Sequence, residues 1–125
     1  MIRIRVTRRG DGLELQAVGH AGYAPRGQDV VCAGVSALLY GFVAYLEALS
    51  SVATAEGHVC GRETLSWEAT EGDGELRVRT RGEASRVLEG FSAVEAGIRL
   101  IAGAYPHLVA LEDPITEEGE KHDST

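Results

Sequence analysis

Cysteine is scarce in this chain: 125 residues hold two, Cys32 and Cys60. Two are too few for a disulfide framework, and the pair lacks the Cys-x-x-Cys spacing of a thiol redox site. His58-Val59-Cys60 could supply two metal ligands, but no second pair completes a tetrahedron. No metal and no other cofactor is therefore expected. A basic excess is also missing, since the formal net charge is −7, and no basic patch suggests direct contact with nucleic acid. Residues 1–7 alternate Ile and Val with Arg and lack the apolar core of a signal peptide, so a cytoplasmic protein is expected. The longest uncharged stretch, residues 30–46, holds seventeen residues. That is near the lower limit for a membrane span, but Ser36, Tyr40, Gly41 and Tyr45 inside it favour a buried helix.

What the sequence does contain is an ordinary globular balance, 44% hydrophobic and 25% charged, in a length suited to one domain. The charge is unevenly placed. Residues 112–125 hold six acids against Lys121, a local −5, which leaves −2 for residues 1–111. The domain is thus assigned to 1–111, and 112–125 is expected to be an acidic, disordered tail. Such a tail could attract a basic protein, although a merely solubilising terminus is the more common case.

Residues 19–36 organise the rest. They place His20, a Gly- and Pro-rich loop, Asp29 and Cys32 in that order, directly ahead of the long apolar run. An Asp before such a run is a helix N-cap, its carboxylate accepting N–H groups two or three residues on. Cys32 then falls in the first helical turn, where the macrodipole and free N–H groups favour a nucleophilic thiolate. The same N–H groups could receive a developing oxyanion. His20 stands at the end of an expected strand, and the loop from Ala21 to Gln28 can double back to bring it near Cys32. Gly22 and Gly27 make that loop a candidate substrate gate. Taken singly, a helical Cys is most often a small buried hydrophobe, and a His after Gly is often a turn residue. Together, with the cap and loop between them, they read as a His/Cys catalytic pair. Asp29 could cap the helix, orient His20, or both. Ser36, one turn after Cys32, could help orient the site, meet substrate, or bond back to a helical carbonyl.

The run Gly19-His20-Ala21-Gly22-Tyr23-Ala24, followed by Gly27-x-Asp29-Val30-Val31-Cys32-Ala33-x-Val35-Ser36-Ala37-Leu38, resembles the signature of the ribosomal-processing cysteine protease Prp family of bacteria. The resemblance implies a homodimeric cysteine endopeptidase that removes a short N-terminal extension from the large-subunit ribosomal protein L twenty-seven. The family's catalytic His and Cys fall on His20 and Cys32, and its supporting Gly, Asp and Ser on Gly19, Asp29 and Ser36. Composition and spacing alone would name no ribosomal substrate. Two other readings stay in view, a non-enzymatic ribosome-assembly binding protein and a thiol redox protein.

Along the chain, alternation predicts strands over 1–7 and 13–17, then over 58–70 and 75–81 around a Glu71-Gly72-Asp73-Gly74 turn, and a last short strand over 107–111. Helices are expected over 30–55 and 83–104. The first helix has a bulky stripe of Val31, Val35, Leu38, Leu39, Phe42, Leu46 and Leu49, and a small one of Gly34, Ala37, Gly41, Ala44 and Ala48. The small stripe would meet either a second protomer or helix two, where Gly90, Ala93 and Gly97 recur. Trp67 is expected on the core, and the arginines of 77–81 on a solvated strand face. The order β-β-α-β-β-α-β predicts an α+β domain, a mostly antiparallel sheet with two helices packed on one face. His107 and His122 sit in no motif and are assigned no chemistry.

Overall fold

The structure is a computed structural model that describes residues 1–22, 24–25, 28–55 and 65–115. Its elements are β1 (Ile2–Arg9), β2 (Gly12–Val18), α1 (Val30–Ala55), β3 (Ser66–Gly72), β4 (Glu75–Arg81), α2 (Ala84–Ala104) and β5 (Val109–Ile115). The expected order and class are both found. The sheet runs β3-β4-β2-β1-β5, with three antiparallel pairings and one parallel pairing, β1 with β5. The parallel pair follows from connectivity. β4 runs the same way as β1, and α2 carries the chain back over the sheet so that β5 points that way too.

Period-two alternation sends one face of every inner strand into the core. Ile2, Ile4 and Val6 of β1, Leu13, Leu15 and Ala17 of β2, and Leu76 and Val78 of β4 are buried. The buried Thr80 is satisfied, its Oγ1 accepting the Leu13 N–H at 3.1 Å. Over this face lies α1, long and apolar enough to cross a membrane by length and composition alone. Here it buries the bulky stripe of Val31, Val35, Leu39, Phe42 and Leu46 against the sheet. Each such side chain contributes about 1.5–3 kcal/mol. Phe42 meets Phe91 of α2 edge to face, with ring centroids 5.4 Å apart.

The seam between the helices differs from expectation on one side. Gly90 and Gly97 of α2 are its hollows, as their spacing suggested, because Tyr45 packs over Gly90 and Leu38 over Gly97. On α1, however, only Gly34 of the small stripe joins the seam, against Ile101. Ala37, Gly41, Ala44 and Ala48 are exposed. Large α1 side chains fill small α2 positions, so a second row of small residues is not needed there.

Several boundaries also shift. β3 begins at Ser66, and the portion expected over 58–64 lies outside the described residues, with His58 and Cys60. β5 begins at Val109 rather than 107, because Tyr105 and Pro106 end α2 and the Leu108 N–H first turns back to the Tyr105 carbonyl at 2.9 Å. It then continues to Ile115, past the boundary expected at 111. The pairing with β1 extends it, and Glu112 meets Arg5 at 2.9 Å. Residues 116–125, including His122, are outside the described set. Trp67 is half-buried against the core and donates its Nε1–H to Ser50 Oγ at 3.0 Å. Arg77 and Arg79 lie on the open face of the sheet, paired with Glu75 and Glu14.

Candidate functional site

Three chain segments meet where β2 ends and α1 begins. Asp29 caps α1: its Oδ1 accepts the Cys32 N–H at 2.9 Å, and its carbonyl accepts the Ala33 N–H at 3.0 Å. These are the side-chain and backbone bonds of an N-cap, and they place Cys32 at the third helical position. The thiol is half-buried and free. Since the cap occupies the Cys32 N–H, that group is not the spare donor the sequence suggested. Any oxyanion contact falls to the first-turn N–H groups that remain.

His20 follows β2 through Gly19, whose φ of 104° suits glycine. A Cβ at Gly19 would run into the Met1 carbonyl, so the close approach of β1 also requires glycine. The Gly19 N–H donates to the Gly74 carbonyl at 2.8 Å. Beyond it, His20 is exposed.

A cavity of about 640 Å³ is lined by His20, Gly22, Ala24, Gln28, Asp29, Val30, Cys32, Ala33 and Ser36. The His, the Cys and all but one of the supporting residues read from the sequence therefore face one space, and the exception, Gly19, adjoins it. Among the described residues no hydrogen bond joins His20 to Cys32 or to Asp29. The two side chains line one open cavity, and such contacts often tighten only when substrate binds. Of the two roles read for Asp29, the structure displays the cap. Ser36 is half-buried on the cavity wall, and among the described residues its hydroxyl bonds to no helical carbonyl. Ser50 and Ser92, in contrast, donate to the carbonyls of Leu46 and Leu88 at 3.0 and 2.8 Å. Of the loop, Ala21 is buried and Gly22 exposed, while Gly27, Tyr23 and Arg26 lie outside the described residues. No group of three or more metal-ligating side chains occurs among the described residues.

One residue that sequence reading left out of the site is Gly74. Its Cα backs the His20 ring, so that a Cβ there would stand 3.1 Å from Nε2. The only sequence signal was its place in a turn, which says nothing of what the turn touches.

The cap yields a quantitative expectation. Asp29→Ala should destabilise the protein by about 0.5–2 kcal/mol and slow alkylation of Cys32, whereas Asp29→Asn should keep most of the stability. Urea denaturation with peptide-resolved iodoacetamide labelling measures both. Equal stability of Asp29→Ala and the parent protein would refute the role of the cap.

Comparison with known proteins points to one family. The family model described as cysteine protease Prp matches residues 1–110. A curated relative from Mycoplasma pneumoniae, ribosomal processing cysteine protease Prp, is 29% identical over 118 residues, spanning 94% of this chain and all of the relative. The protein of the same name from Mycoplasma genitalium is 23% identical, spanning 90% of this chain and 96% of the relative. Among solved structures, a Streptococcus mutans protein superposes with a TM-score of 0.64 at 29% identity, covering 94% of this chain and 96% of that one. The S. aureus ribosomal processing protease Prp, crystallised with a covalently linked product peptide, shares the fold with a TM-score of 0.63 at 20% identity, covering 94% of this chain and all of that one. Family membership decides for a peptidase over a non-enzymatic binding protein or a thiol redox protein. This chain belongs to the cysteine protease Prp family, the ribosomal-processing cysteine peptidases.

Proposed function

We propose that the chain removes the N-terminal extension of the large-subunit ribosomal protein L twenty-seven, with Cys32 as nucleophile and His20 as its proton partner. The observation that carries this reading is the shared cavity, which holds a capped helix-start thiol and an imidazole on a rigid strand end. His20 takes the Cys32 proton, and Sγ attacks the scissile carbonyl. The tetrahedral oxygen is met by the N–H groups left free in the first turn of α1. The intermediate collapses as imidazolium protonates the leaving amine, which departs with the downstream fragment. Water, deprotonated by His20, then hydrolyses the thioester and restores the thiol. Ser36, with its hydroxyl on the cavity wall, contacts the substrate backbone. The loop containing Gly22 and Gly27 closes over the peptide. The ribosomal substrate is supported by the Mycoplasma relatives, both known as ribosomal processing proteases, and the peptide cavity by the product complex of the S. aureus protein. A cytoplasmic site of action accords with such a substrate.

Homodimerisation belongs to the same reading. Ala37, Gly41, Ala44 and Ala48 of α1 and Ala93, Ala96 and Leu100 of α2 carry exposed or partly exposed surface on the helical layer, Leu100 by 77%. Small exposed residues permit close approach of a second copy.

Incubation of the ribosomal protein from the same genome with the parent protein should give one truncation near its N-terminus, seen by intact mass. Cys32→Ala should lower that rate by at least about 10³-fold. A substrate that binds both forms and is left whole would contradict the reading. Leu100→Glu should shift sedimentation from dimer to monomer, and a parent protein that sediments as a monomer would contradict the dimer.

A further inference from the structure

The turn between β3 and β4 lies outside the sequence motif, yet it touches the His20 half of the site. Gly74 is its second central residue, with a φ of 72°, in the left-handed region that favours glycine. Its carbonyl accepts the Gly19 N–H at 2.8 Å, holding the residue directly before His20. Its missing side chain leaves room for the imidazole, since a Cβ would stand 3.1 Å from Nε2. The far side of the turn is fixed as well, because the Glu75 carboxylate accepts from Gln16 Nε2 of β2 at 3.0 Å and from Arg77 at 3.1 Å.

We propose that the β3–β4 turn is the positioning element of the imidazole, with Gly74 setting where His20 stands. The inference rests on His20 and Cys32 as the pair and adds to it. No hydrogen bond from another described side chain holds the His20 ring, so the backbone it lies against determines its place. A side chain at Gly74 pushes the ring aside. Errors of position near 1 Å cost about 10²-fold in rate.

The test is peptide-resolved alkylation of Cys32 by iodoacetamide in the full chain, followed from about pH 5 to about pH 9. His20→Ala should remove the reactivity at the acidic end. Gly74→Ala should reduce it by about tenfold and have no further effect when combined with His20→Ala. Gly10→Ala is the control: its φ is 57°, and a Cβ there meets nothing within 4 Å. It should leave the pH profile in place. Gly74→Asn also brings a Cβ, and asparagine tolerates the left-handed region, so it decides the matter if Gly74→Ala does not fold. In the unaltered protein, nuclear Overhauser contacts should link the His20 ring protons to the Gly74 α-protons. Profiles for Gly74→Ala and Gly74→Asn that superpose on the parent, or absence of that contact, would overturn the positioning role. If instead His20→Ala leaves the profile unchanged, the pairing of His20 with Cys32 fails, and the positioning role falls with it.

Discussion

The hydrogen bond from the Cys32 N–H to the Asp29 carboxylate, 2.9 Å long, fixes the place at which the chain stops being a loop and becomes α1. A helix start without such a partner leaves its first donors unsatisfied and frays. Here the start is set at Val30, and the thiol comes to rest two positions later. The bulky stripe of α1 then allows one rotation of the helix about its axis. Val31 and Val35 must face the sheet, and this leaves Cys32, Ala33 and Ser36 facing the cavity. The cap sets the thiol's height along the helix, and the core sets its azimuth.

The sheet contributes the other partner. β2 is paired on both sides, with β1 and with β4, so the strand that ends at Val18 is among the most constrained in the molecule. His20 therefore begins from a rigid stem and leads directly into a loop. The pairing of Gly19 with Gly74 extends the sheet's order one step beyond the last strand residue, as far as the residue next to His20.

Much of this was legible in the sequence because it depends on local signals. The alternation in residues 1–7 and 13–17, the Asp29 cap, the apolar run and the Tyr105-Pro106 stop are each determined within a few residues, and the elements formed where they predict. Less legible were features set by partners distant in sequence. β5 runs beyond its acidic residue Glu112 because β1 supplies a ladder and Arg5 a counter-charge. The small stripe of α1 gave two possible partners, and only packing revealed that Leu38 and Tyr45, rather than the alanines, enter α2. The Cys32 N–H looked available for an oxyanion because the presence of a cap does not by itself tell which N–H it occupies. Gly74 was invisible as a site residue, since its contact with His20 spans more than fifty positions of sequence. Family resemblance supplied what no local signal could, the expectation of a ribosomal substrate.

The central claim is that Cys32 carries the peptide through a thioester. It is tested most directly by quenching the reaction with acid during turnover of a peptide spanning the N-terminal extension of the ribosomal protein, then mapping the protein by mass spectrometry. The account predicts an adduct with the mass of the released N-terminal fragment less one water, located on Cys32. The same adduct found on Cys60 would contradict it.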